Sequence, residues 1–151
     1  MTDVEFEAYL PAAIESYAAE QATAGYWTVE DSVERAEKAF AAFLPDGLAT
    51  PGQRLLSIVE GGEVAGVLWV GDRADHCFIY DLEIGGEFRG RGLGKAALRH
   101  VEAGAAERGQ VRVALQVFAH NEAARGLYEA TGYETKALLM SKHVGPSADR
   151  A

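Results

Sequence analysis

A chain of 151 residues, 48% of them hydrophobic and 25% charged, has the size and composition of one globular domain with a single core. Its net charge of −9 argues against nucleic acid, which needs a basic stripe, and is compatible with plain solubility or with an acidic cleft that attracts a cation. The acidic opening MTDVEFEAYL lacks a secretory leader's basic start and apolar run, and no apolar stretch nears the ~20 residues of a membrane-spanning helix. The single cysteine, Cys77, cannot form an internal disulfide. The expectation is a soluble, cytoplasmic protein bound neither to nucleic acid nor to membrane.

Thr2 and Glu5 have capping-box spacing, and Phe6, Tyr9, Leu10, Ala13, Ile14 and Tyr17 recur at helical intervals, so a first helix is predicted, kinked or divided at Pro11. A second helix starts at Thr28-Val29-Glu30-Asp31, carries the stripe Val33, Ala36, Phe40, Phe43 and Leu44, and ends at Pro45-Asp46-Gly47. The proline- and glycine-rich stretch 45–52 reads as a loop. The period then drops to two. Strands are predicted over 55–60 and 63–72, joined by a tight Gly61-Gly62 turn, and over 76–84. A glycine-rich turn at 85–94 leads into an amphipathic helix over 93–108. A strand over 111–117, a helix over 121–130 closed by Gly132, and a last strand over 135–142 complete a domain spanning 1–143. The polar tail 144–151 reads as disordered. This α/β order predicts a mixed, mostly antiparallel central sheet with helices on both faces.

The most informative stretch is Arg89-Gly90-Arg91-Gly92-Leu93-Gly94-Lys95, between an apolar strand and a helix. Glycines there let several backbone N–H groups converge at a helix N-terminus, which suits a pyrophosphate. It is not a Walker loop, because Arg89 and Ala96 stand where Gly and Ser or Thr are needed. Nor is it a dinucleotide fingerprint, because Lys95 replaces the third glycine.

Arg89-x-x-Gly92-x-Gly94 resembles the R/Q-x-x-G-x-G/A signature of the GNAT superfamily of N-acetyltransferases. The stretch LQVFAHNEAARGLYEATGYE, residues 115–134, resembles the same family's strand, Asn, helix with Leu-Tyr-Glu, and Gly-Tyr. The resemblance covers roughly residues 53–142. The family's usual first strand, ahead of the two N-terminal helices, is not evident here. The resemblance implies acetyl-coenzyme A as cosubstrate, no metal, and direct attack by an amine in a ternary complex.

It further implies that the backbone of Arg89, Gly90, Arg91, Gly92, Leu93, Gly94 and Lys95 holds the pyrophosphate, that Leu82, Glu83 and Ile84 pair with the pantetheine arm, and that Asn121 hydrogen-bonds the cofactor. Tyr128 would protonate the departing thiolate. Independently, residues 121 and 128 lie about two helical turns apart, so both leave one face of the helix, separated by about 10 Å along its axis.

The base is not obvious. The positions where relatives carry one are Tyr80, Phe78 and Gln116 here. Glu83 is the candidate, with Asp81 nearby. Alternation points both away from Tyr80, so on a strand covered on both faces they need a polar pocket or a bulge. A water relay is the alternative. His120 reads as a surface residue that could touch the helix or cofactor, His76 and His143 lack metal-ligand spacing, and Cys77 reads as a buried hydrophobe.

The acceptor expected is a small amine. Glu30, Asp31, Glu34 and Glu37, beside Tyr26 and Trp27, favour a cationic one, although the carboxylates also suit a solvated helix face. Acetylation of a protein N-terminus or lysine, or acyl-CoA sensing without turnover, are the alternatives. A homodimer is compatible with all three.

Overall fold

The computed structural model describes residues 1–146. Its elements are α1 (Asp3–Thr23), α2 (Val29–Phe43), β1 (Gln53–Glu60), β2 (Glu63–Asp72), β3 (His76–Ile84), α3 (Leu93–Glu107), β4 (Arg112–Leu115) and α4 (Glu122–Ala130). The sheet order is β1-β2-β3-β4, antiparallel between the first three strands and parallel between β3 and β4. The mixed, mostly antiparallel sheet with helices on both faces is therefore present.

Thr2 caps α1 through a complete capping box with Glu5. The helix is not divided at Pro11 but runs through it. Losing one ladder bond costs about 3 kcal/mol, and the burial of Tyr9, Ala13 and Ala18 on either side of Pro11 offsets that cost. Of the predicted α2 stripe, Ala36, Phe40 and Leu44 are buried, while Val33 and Phe43 are exposed and Ser32 takes the inward place beside Val33.

Two cores lie on opposite sides of the sheet. Leu68, Val70, Cys77 and Ile79 pack against Ala97, Leu98, Val101 and Ala105 of α3, with Leu127 and Tyr128 of α4 at the margin. Leu55 and Trp69 pack against Tyr9 and Ala13 of α1 and Phe40 and Leu44 of α2. Neighbours Trp69 and Val70 are both buried because both faces are covered. Gly66 allows β2 to approach β3 closely: a Cβ there would sit 2.3 Å from the Glu83 carbonyl oxygen.

The strand expected over 135–142 is absent. From Glu134 onward the described residues are exposed and without regular structure. The apolar run Ala137 to Met140 suits a strand, but a strand needs a partner edge, and this segment pairs with none among the described residues. The expected tail lies partly outside the described residues, at 147–151.

Candidate active site

Two features of β3 open a cleft in the sheet. Opposite β2, Trp69 pairs with Asp81 but Val70 pairs with Ile79, so Tyr80 is an extra, bulged residue. Opposite β4, pairing runs only from His76↔Arg112 to Ile79↔Leu115. From Tyr80 onward the edge of β3 toward β4 is free, because the bulge bends and twists the strand away. Leu82, Glu83 and Ile84 on that edge, Gly90, Gly92 and Gly94 of the glycine turn, and Asn121 and Tyr128 of the α4 region line one continuous cleft.

The bulge also corrects the side-chain directions expected from alternation. Tyr80 and Asp81 both turn toward α1 and α2. Tyr80 stacks on Trp69, with centroids 4.6 Å apart, and Asp81 accepts a hydrogen bond from the Tyr9 hydroxyl at 2.8 Å. Burial pushes the Asp81 carboxyl above the ordinary aspartate range, the neighbouring Glu83 charge adds to the rise, and the Tyr9 bond only partly opposes it. Burial, with Asp81 beside it, raises Tyr9 as well, so this phenol stays protonated as the donor. Glu83, by contrast, is exposed. Asp81 was legible as a neighbour of Glu83, but its enclosure depends on Tyr9, 72 positions away.

At the other end of the cleft, Gly90 and Gly92 have φ of +77° and +80°. This left-handed backbone, closed to most side chains, turns successive N–H groups into the concavity. Thr2, Thr28 and Asn121 cap α1, α2 and α4 with their side chains, whereas α3, which starts at Leu93, has no side-chain cap. Its first N–H groups remain available to an anion. Arg89 folds back to donate from Nε to the Ile84 carbonyl at 3.0 Å, and Arg91 pairs with Glu60 at 2.9 Å, so these two side chains brace the turn. Lys95 is exposed in the first turn of α3.

Asn121 caps α4 by accepting from the Ala124 N–H at 3.1 Å, which leaves its amide NH₂ to donate elsewhere. Tyr128 is half-buried against the α3 core and meets Tyr133 edge-on at 5.8 Å. Burial first, and the Asp81 charge second, raise its phenol above the ordinary tyrosine range. Asp81 therefore lies within electrostatic reach of Tyr128, each approaching β3 from its own side of the sheet.

The α1/α2 side of the cleft is aromatic. Phe43 and Phe78 flank Tyr80 at 5.4 and 4.9 Å, and Tyr17 meets Trp27 edge-on at 5.4 Å. Arg73 lies 4.5 Å over the Phe78 ring and donates to the Tyr80 hydroxyl at 3.1 Å. His120, stacked on Phe118, sits 2.6 Å from Glu20 and ties the entry to α4 to the end of α1. The α2 carboxylates face solvent: Asp31 pairs with Arg35 at 2.8 Å and Glu34 with Lys38 at 2.7 Å. Cys77 is fully buried, and that burial raises its thiol above the ordinary range, as expected of an inert hydrophobe.

The sequence model of the acetyltransferase (GNAT) family matches residues 15–133. The chain is 37% identical over 147 residues to the uncharacterized N-acetyltransferase YycN of Bacillus subtilis, covering 94% of each chain. It is 35% identical to YdgE of the same organism, covering 95% of each. The crystal structure of YycN superposes with a TM-score of 0.89 over 97% of this chain and 96% of that one. An acetyltransferase structure from Pyrococcus furiosus, 30% identical, gives 0.61 over 87% and 93%. With its split sheet and uncapped helix at the glycine turn, the chain belongs to the acetyltransferase (GNAT) family.

Proposed function

We propose that this protein transfers an acetyl group from acetyl-coenzyme A to the primary amine of a small cationic molecule within a single domain, 1–143. The observation that carries the reading is the pairing of a free β3 edge with an uncapped α3 N-terminus along one cleft. Such a cleft suits a ligand with a pyrophosphate at one end and an extended amide-bearing arm along the other. Backbone N–H groups from Gly90 to Lys95 hold the pyrophosphate, and Leu82, Glu83 and Ile84 pair with the arm and polarise the thioester carbonyl. The free NH₂ of Asn121 donates to the arm.

An alkylammonium titrates near 10, so it must lose a proton before attack. Asp81 is the better base of the two carboxylates, because its burial raises its proton affinity while Glu83 stands in solvent. The nitrogen lone pair forms a bond to the thioester carbon, the C–S bond breaks, Tyr128 gives its proton to the leaving sulfur, and the second proton shed by the nitrogen returns to the Tyr128 phenolate. The raised Tyr128 phenol keeps its proton available at neutral pH. Asp81 and the aromatic wall of Trp69, Tyr80 and Phe43 now support the cationic acceptor, in place of the α2 carboxylates.

The test is thiol release from acetyl-coenzyme A with polyamines, aminoglycosides, amino acids and peptides. Turnover with a small cationic amine is expected. Best turnover on peptides would transfer the assignment to protein N-termini or lysines, and tight binding without release to any amine would make the domain a sensor. Tyr128→Phe keeps the ring and removes the acid, so turnover should fall by about 10²–10³ with cofactor affinity held within a few-fold. Unchanged turnover would place the thiolate's proton source elsewhere.

A further inference from the structure

The aromatic side of the cleft carries a cation that acetyl transfer itself does not use. Arg73 follows β2 in the turn to β3, and its backbone N–H donates to the His76 carbonyl at 2.9 Å. Alternation along β2 carries Trp69, Gly71 and Arg73 to the α1/α2 side of the sheet. Gly71 leaves room there, since a Cβ at this position would meet the Tyr80 ring at 2.7 Å. Tyr80 therefore lies flat across Gly71, with its ring on Trp69 and its hydroxyl at Arg73.

The guanidinium is held but not neutralised. It sits 4.5 Å from the centre of the Phe78 ring and 5.8 Å from that of the Tyr80 ring. Its acidic neighbours in the turn are committed elsewhere, Asp72 to Arg54 and Arg108, and Asp75 to His76 and Arg112. Arg73 spends one N–H on the Tyr80 oxygen, which leaves the rest of its fork and the Tyr80 O–H to donate into the cleft that both residues line. One positive charge beside one hydroxyl suits a carboxylate, whereas a phosphate dianion needs more cation. A purely cationic amine would instead set its charge against this guanidinium.

The strand register fixes how far apart the two charges of an acceptor must stand. Asp81 lies opposite Trp69, and Phe78, beneath the guanidinium, lies opposite Gly71. Two residues along a strand span about 7 Å. With bonds of about 1.5 Å in a zigzag, roughly five carbons bridge that gap.

We propose that Arg73 and the Tyr80 hydroxyl bind the carboxylate of an ω-amino acid whose chain-end amine meets Asp81. A basic amino acid acetylated on its side chain is the net-cationic form of such an acceptor. The proposal rests on the acetyl transfer proposed for this cleft and narrows its acceptor. It disfavours α-amines, in which a single carbon separates the two charges.

The test compares thiol release from acetyl-coenzyme A with 6-aminohexanoate, 6-aminohexanamide, lysine, cadaverine and glycine. kcat/KM for the acid should exceed that for the amide by about 10–10²-fold, mainly through KM, as a charge-assisted pair would give. Lysine should exceed cadaverine likewise, with glycine the poorest of the set. In Arg73→Gln the acid-to-amide ratio should fall to about one, and Arg73→Lys, which keeps the charge but not the fork, should restore part of it. A ratio taken within each variant cancels any general loss of fold or cofactor binding. Equal use of acid and amide by the wild-type chain, a preference that survives Arg73→Gln, or glycine as the best substrate overturns the proposal. Turnover of cadaverine or an aminoglycoside in those cases leaves acetyl transfer to a cationic amine standing. If no amine releases thiol, that transfer falls instead, and calorimetry decides the carboxylate site. Tighter binding of 6-aminohexanoate than of its amide, lost in Arg73→Gln, upholds the site; equal binding overturns it.

Discussion

Asp81→Asn lowers kcat/KM for the best amine by about 10²–10⁴ and raises the melting temperature near neutral pH, two effects with one cause. The carboxylate is half-buried and desolvated beside the Glu83 charge, so its proton affinity in the folded chain exceeds that in the unfolded chain. The sign follows from linkage. A carboxyl raised on folding contributes stability that is fully present below its unfolded pKa and lost as pH rises through the folded one. At neutral pH the charged side chain is therefore a cost, one that the proposed role of the ionised form as base would account for. Asparagine can still accept from Tyr9 but carries no charge to bury, so the fold gains and the chemistry loses. In the wild-type chain kcat/KM rises with pH through the Asp81 titration; in the variant that inflection is gone. Glu83→Gln, at an exposed position, should cost no more than a few-fold. Equal losses at the two positions, or a variant without any loss, would favour a water relay over Asp81.

Gly92→Val abolishes the thermal stabilisation by coenzyme A. A ligand at about a hundred times its dissociation constant stabilises a fold by about 2.7 kcal/mol. For a chain of this length that is a shift of about 5–10 °C. Gly92 has φ of +80°, where a β-branched residue is strained, and a Cβ there meets nothing within 4 Å. The side chain would thus protrude into the space the phosphates need. Gly94→Ala is a graded companion: its Cβ meets the flexible tip of Leu127 at 3.0 Å, so a partial loss is expected. A melting shift retained in Gly92→Val, or given to wild type by NADH or ATP but not coenzyme A, would overturn the cradle assignment.

Local signals carried much of this into the sequence. The capping box of Thr2 and Glu5, the Gly61-Gly62 hairpin and the glycine turn depend on residues within a few positions of each other, and each stands where its pattern put it. The missing strand over 135–142 shows the limit, since an apolar run states a preference while pairing needs an edge to meet. The Pro11 helix shows the opposite limit, where burial on both sides overrides a local breaker. At the site, the glycine turn and Tyr128 were readable because the family's spacing is written along the chain. The enclosure of Asp81 was not, because it is produced by a one-residue bulge at Tyr80 and a hydroxyl from α1. Alternation alone turned Tyr80 and Asp81 to opposite faces, and a single extra residue reversed that.

The aromatic wall has a spectroscopic consequence. The chain's two tryptophans, Trp27 and Trp69, both line the α1/α2 side of the cleft, Trp69 stacked on Tyr80 and Trp27 edge-on to Tyr17. Neither the glycine turn nor α4 contributes an indole. Intrinsic emission should therefore respond when an amine settles against the wall, giving a label-free titration of acceptor candidates in the absence of turnover.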